Sequence, residues 1–207
     1  RSNSVNINDI ILIINDDSTF NENFLATGIE ILCETPGTIL GAKFLAIDDD
    51  QLIDNGTHID WKLFTFDQAK TQEDINCLST RGLFLRFGDS KLIGGVYPKI
   101  LPHYLSDYEF TIRAKRRGLT LITDSSLFLW THRAPGGYYQ LQEGETIIRS
   151  LNKYLSKKSM INPIHWTVFV FLACPWPWKA INLLRVWKRA VMFVLGILYK
   201  RLNEHDR

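Results

Sequence analysis

The sequence predicts an α/β fold, a mixed sheet flanked by helices, with amphipathic helices at its C-terminal end. Three observations predict it. The run Asp9-Ile10-Ile11-Leu12-Ile13-Ile14 is continuously apolar after its first residue and β-branched except at Leu12, the mark of a strand buried on both faces. A helix pattern bounded by Ser106 and Gly118 is followed at once by strand patterns. Charge is split along the chain. Residues 1–145 hold 13 Lys and Arg against 20 Asp and Glu, whereas residues 146–207 hold 11 against 2. The body is acidic and the tail basic and aromatic.

A hydrophobic content of 45% with 22% charged residues places the 207-residue chain among globular proteins. The expected division is a body, residues 1–145, and a helical tail, residues 146–207. Cys33, Cys77 and Cys174 are widely spaced and include no C-x-x-C pair. They form neither a disulfide framework nor a zinc site and suit a reducing compartment.

Taken in order, the Asp9–Ile14 strand ends in Asn15-Asp16-Asp17-Ser18. Two adjacent acids at a strand's carboxyl end repel each other, and a divalent cation relieves that repulsion. The alternative is a turn into a helix, with Asp17 or Ser18 as N-cap. Phe24, Ile29 and Leu32 give Asn21–Cys33 a helical spacing, and Thr38–Ile47 reads as a strand or strand pair. Asp48-Asp49-Asp50 is a solvated loop without calcium-loop spacing. Leu52–Trp61 reads as a hairpin or meander, Gln68–Asn76 as a polar loop, and Cys77–Phe87 as a strand with a possible bulge at Arg81-Gly82.

The stretch from Ile93 to His132 organises the rest. Gly94-Gly95 and Pro98–Pro102 form a turn-rich lead-in. Ser106-Asp107-Tyr108-Glu109 fits a capping box, so a helix is expected to start there. Arg113, Lys115, Arg116 and Arg117 suit its C-terminus, and Gly118 suits a left-handed stop. Leu119–Ile122 and Leu127–Thr131 read as strands ending at His132. Asp107 thus sits on a first helical turn behind a glycine-rich loop, where a carboxylate can take a proton from a bound hydroxyl. The alternative is an acid that merely complements the helix dipole.

Beyond His132, Ala134-Pro135-Gly136-Gly137-Tyr138-Tyr139 reads as a loop that closes over a ligand, or as a surface connection. Glu145–Lys158 is expected to be a helix. Ser159–Trp178 is apolar but broken by Pro163, Pro175 and Pro177, and Ala190–Tyr199 is a short apolar run flanked by Lys188-Arg189 and Lys200-Arg201. Neither run is long enough to span a bilayer. Their aromatic ends and basic flanks fit helices lying in a membrane interface rather than on nucleic acid. A helical pair packed on the body, or a partner helix, is the alternative.

The order of these pieces carries a resemblance. A strand ending in Asn15-Asp16-Asp17, a Gly41-Ala42-Lys43-Phe44-Leu45 strand, a further apolar strand, the stretch IGGVYPKILPHYLSDYEFTIRAKRRG and a strand ending in Trp130-Thr131-His132 follow one another. Together they resemble the family 2 glycosyltransferases of GT-A fold, especially the rhamnosyltransferase-like members that build polysaccharides. The resemblance implies a partial GT-A, Rossmann-like sheet. Residues 1–145 would correspond to the C-terminal part of such a domain, without the nucleobase-binding half. It implies transfer of a sugar from a nucleotide-sugar donor to a glycan or lipid-linked acceptor, with inversion, in cell-surface polysaccharide synthesis. Asp17 would hold Mg²⁺ or Mn²⁺, and His132 would contact the metal or a phosphate. Asn15 and Asp16 would lie beside the donor. Asp107 would be the base, Gly94 and Gly95 would belong to the acceptor loop, and Glu109 and Arg113 would support that loop and helix. Ser106 stands where the family usually has an acid before the base. The expected location is the cytoplasmic face of a membrane, with peripheral contact and no nucleic acid. Two other functions compete: a non-catalytic membrane-surface or interaction module, and a metal-dependent phosphate hydrolase using Asp16 and Asp17.

Overall fold

A computed structural model describes residues 5–132 and 146–205. The chain divides into two compact units, one formed by Arg1–Val96 and Asp107–Ala134, the other by Tyr97–Ser106 and Pro135–Arg207. The short segment Tyr97–Ser106 therefore goes with the second unit. The loop read at Ala134–Tyr139 lies outside the described residues.

The elements are β1 (Ile10–Ile13), β2 (Ser18–Thr19), α1 (Phe24–Glu34), β3 (Thr38–Ala46), β4 (Leu52–Asp54), β5 (Thr57–Asp60), β6 (Thr65–Gln68), β7 (Leu83–Arg86), α2 (Phe87–Ile93), α3 (Ser106–Arg116), β8 (Thr120–Thr131), α4 (Ile147–Tyr154), α5 (Pro163–Ala173) and α6 (Trp176–His205). The first unit holds a six-stranded mixed sheet in the order β1-β7-β3-β8-β2, with β4 also paired to β3. Only β3 and β8 run parallel. β5 and β6 form a separate hairpin.

Period-two alternation sorts the strands' side chains between two cores. Ile39, Leu83, Leu85 and Leu121 face one core, where Phe110 and Ala114 of α3 pack. Leu40, Phe84, Phe44 and Leu129 face the other, with Phe24 and Leu32 of α1. Helices thus cover both faces of the sheet. The close fit depends on glycine at two places. A Cβ on Gly28 of α1 would lie 2.5 Å from the Phe84 ring, and one on Gly82 would lie 2.3 Å from Leu129.

β8 is one bulged strand rather than the two strands expected. Between Thr123 and Phe128 it advances five residues while β3 advances two, from Gly41 to Lys43. The odd excess reverses which side chains face which core, so Leu121 and Leu129 point to opposite faces.

Four further expectations are corrected. β1 does send alternate residues to both cores, Ile11 and Ile13 to one, Ile10 and Leu12 to the other. It nevertheless lies at the end of the sheet order, antiparallel to β7, and all four residues stay half-buried because one edge carries no partner strand in that order. The Asn15–Ser18 segment caps no helix; α1 starts at Phe24 with Asn23 at the N-cap position. Arg81-Gly82 is a turn before β7 and not a bulge within a longer strand, since Gly82 takes φ +66°. The capping box does not form: the Ser106 hydroxyl donates to the His103 carbonyl at 2.8 Å, and the Glu109 carboxylate turns to Arg113. Gly118 does end α3 as expected, at φ +89°.

In the second unit, Asn162 caps α5 by accepting from the Ile164 N–H at 2.9 Å, with Pro163 in the first turn. The two expected tail segments reorganise: α6 runs unbroken for 30 residues. Among the described residues no helix is long and apolar enough to cross a membrane.

Candidate active site

Asp107 opens α3, and three sets of contacts hold that turn. The Thr111 hydroxyl accepts from the Leu78 N–H at 3.0 Å and donates to the Leu78 carbonyl at 3.1 Å. The Tyr108 ring stacks on Phe66 of β6 at 6.0 Å, and its hydroxyl meets the Thr57 hydroxyl of β5 at 3.4 Å. The Asp107 carboxylate itself accepts from the Tyr108 N–H at 2.9 Å. A side chain tied in this way has little rotamer freedom left to lose when a substrate arrives.

Two charged residues that the sequence reading passed over share this region. Asp54 ends β4 and accepts from the Gly56 N–H at 2.9 Å, an Asx turn that fixes its carboxylate. Arg81 lies 5.1 Å from the centre of the Phe44 ring, a cation–π contact that anchors its guanidinium. Burial raises the Asp107 carboxyl above its ordinary range; the Tyr108 N–H and the Arg81 guanidinium pull it down, and Asp54 adds to the rise. Burial likewise raises Asp54, opposed by the Gly56 N–H, Arg81 and the Ser79 hydroxyl. Burial pushes the Tyr108 hydroxyl and the Cys77 thiol up as well, so both stay neutral. The result is two acids of raised pKa sharing one guanidinium. A carboxyl whose pKa is raised by burial is one mark of a proton-accepting group.

Glu109 and Arg113 act through the loop they hold. Glu109 is buried, and both of its carboxylate oxygens accept from Arg113, at 2.8 and 2.7 Å. Arg113 also donates to the carbonyls of Ile93, at 2.6 Å, and Gly95, at 2.7 Å. Gly94 and Gly95 take φ +90° and +69°, which a side chain would resist. One arginine therefore fastens the two-glycine turn to α3.

Asn15, Asp16 and Asp17 are exposed in the turn between β1 and β2. Ser18 pairs with Thr131 in the last rung between β2 and β8, and Asp17 and His132 each lie one residue beyond that pair, both exposed. Asp50 is tied near the same strand end by the Trp130 indole N–H, at 2.7 Å. Among the described residues no three His, Cys, Asp or Glu side chains gather closely enough to hold a metal ion by themselves. Mg²⁺ takes oxygen ligands, several of them commonly from substrate phosphates and water, so of these two residues the Asp17 carboxylate is the one that fits it. The residues read from the sequence thus fall on two places: α3 with Asp107, Glu109 and Arg113 and the loop that Arg113 binds, and the end of the β2–β8 pairing beyond which Asp17 and His132 lie.

No protein-family model matches the chain, and no curated protein matches it.

Proposed function

We propose that the chain takes part in glycosyl transfer from a nucleotide-sugar donor, with Asp107 as the general base that deprotonates the acceptor hydroxyl. The observation that carries the reading is Asp107 itself: a positioned carboxyl of raised pKa on the first turn of α3, the helix whose Arg113 holds the glycine turn. Asp107 takes the acceptor proton as the acceptor oxygen attacks the anomeric carbon, and the configuration inverts. Arg81 and Asp54 set the carboxylate's charge environment. A Mg²⁺ or Mn²⁺ ion held by Asp17, with His132 contacting the metal or a phosphate, would neutralise charge on the leaving diphosphate. Asn15 and Asp16 stand beside that position. The acceptor class is a glycan or lipid-linked glycan, and the basic second unit meets the cytoplasmic face of a membrane.

The metal half of this reading is tested by titrating Mn²⁺ with a nucleoside diphosphate into the full-length gene product. Asp17→Ala is expected to weaken metal–nucleotide binding by roughly tenfold or more. Equal affinities for wild type and variant would remove Asp17 from the site.

A second reading, a non-catalytic membrane-surface module, is favoured by one observation. Leu184, Trp187, Val191, Leu195 and Leu198 recur at helical spacing on α6 and are all exposed. It is distinguished by the absence of turnover with any nucleotide sugar.

A further inference from the structure

The second unit contains a cavity of about 510 Å³ between the end of α4, the start of α5 and the middle of α6. Tyr154, Ile161, Trp166, Val186 and Phe193 line it together with one cation, Arg189. The volume lies in the range of small-molecule sites. The pocket opens to solvent, and its apolar wall offers water few partners.

The wall is mainly aromatic and aliphatic. The Trp166 indole N–H is already given to the Met160 carbonyl at 2.8 Å, leaving the ring's apolar surface for the cavity. Tyr154 and Phe193 stack on each other at 4.2 Å, which fixes an aromatic wall. Arg189 is exposed, so its charge stands at the rim rather than in the interior. The surroundings are strongly basic: Lys153, Lys157, Lys158 and Lys188 are near in sequence to the lining, and the only acids after residue 145 are Glu204 and Asp206. A ligand complementary to this site has an apolar body and a single anionic end.

We propose that this cavity binds one chain of an anionic amphiphile, an alkyl or isoprenyl phosphate, with the chain among Trp166, Val186 and Phe193 and the phosphate at Arg189. The site is independent of the glycosyl-transfer reading. A bilayer phospholipid and a free lipid phosphate share this chemistry.

The probe is decyl phosphate below its micelle concentration, titrated calorimetrically into the whole chain. The expected result is one site per chain, at least roughly tenfold weaker binding in Arg189→Gln from loss of a charge-assisted contact, and similar weakness for decyltrimethylammonium. Ile161→Trp fills the cavity and is expected to abolish binding. Should that variant lose its helical circular dichroism, Arg189→Gln, at an exposed position, still decides. Unsaturable heats in wild type, equal binding of the cationic and anionic probes, or undiminished binding in Arg189→Gln would overturn the proposal. Anionic vesicles then separate the sources. Weaker vesicle binding by Ile161→Trp assigns the site to a bilayer lipid, and unchanged vesicle binding together with lost decyl phosphate binding assigns it to a free lipid phosphate.

Discussion

Replacing Arg113 by Met isolates the coupling between α3 and the glycine turn. Methionine keeps the length and the helix propensity of the arginine stem. It removes both partners of the Glu109 carboxylate, whose residue is 4% exposed, and both donors to the Ile93 and Gly95 carbonyls. An exposed ion pair is worth at most about 1 kcal/mol. A buried carboxylate left without its cation costs about 3–5 kcal/mol. At roughly 2–4 °C per kcal/mol for a chain of this size, the melting temperature should fall by about 6–20 °C. Adding Glu109→Leu to Arg113→Met removes the orphaned charge and should restore most of that loss. The loop should stay loose in both variants, because its carbonyl partners are gone in both. Thermal unfolding followed by circular dichroism reads the first effect, and tryptic cleavage at Lys91 and Lys99 reads the second. A single variant within about 1 kcal/mol of wild type, or a double variant no more stable than the single, would refute the reasoning.

Two further outcomes follow from the charges. Asp54 and Asp107 both hold their protons more tightly folded than unfolded, so the folded state binds more protons as pH rises through the ordinary carboxylate range. Their contribution to stability therefore falls with rising pH until the folded groups have titrated, and is constant above that. Asp54→Asn should raise stability relative to wild type at neutral pH, with the difference shrinking towards acid, and should lower the Asp107 pKa; urea denaturation from pH 4 to 8 checks it, and a difference that grows in wild type's favour with pH would contradict it. The exposed apolar arc of α6 and the basic residues beside it should bind anionic vesicles, less strongly at high salt; sedimentation showing no binding at either salt concentration would return α6 to a helix that packs on protein.

The legible parts of the sequence were those governed by local chemistry. The Ile10–Ile13 run and the end of α3 at Gly118 each follow from a few neighbouring residues, whereas Pro163, read as a break, opens α5 behind the Asn162 cap. Non-local facts were not legible. The end position of β1 depends on which strand pairs with it, and apolar residues facing two cores read alike in an edge and a central strand. The reversal of faces along β8 depends on its pairing with β3, not on its own pattern. Pro175 and Pro177 looked like breaks in the tail. The helix begins between them at Trp176, and Pro177 falls in its first turn, where a missing N–H is not needed.

In the candidate site the same division holds. Asp107, Gly94 and Gly95 stand where the pattern put them, and the capping box failed because Glu109 had a stronger partner in Arg113 than a backbone N–H. Asp54 carried only the local signal of an Asp-Asn-Gly turn, and Arg81 only that of a residue before a glycine. Nothing in the sequence brings either residue within range of Asp107; the fold does so.

The central claim is that Asp107 accepts the acceptor's proton, and turnover of Asp107→Asn in the full-length gene product tests it most directly. Asparagine keeps the size and can still accept the Tyr108 N–H, but it cannot take the proton. The account predicts a fall in kcat of roughly a hundred- to ten-thousand-fold. Donor affinity should stay near the wild-type value, because Asp107 serves the acceptor. A carboxylate that only complements the dipole of α3 would cost about 0.3–1 kcal/mol of stability when replaced and leave kcat almost unchanged. A folded Asp107→Asn enzyme with near-normal kcat would contradict the account.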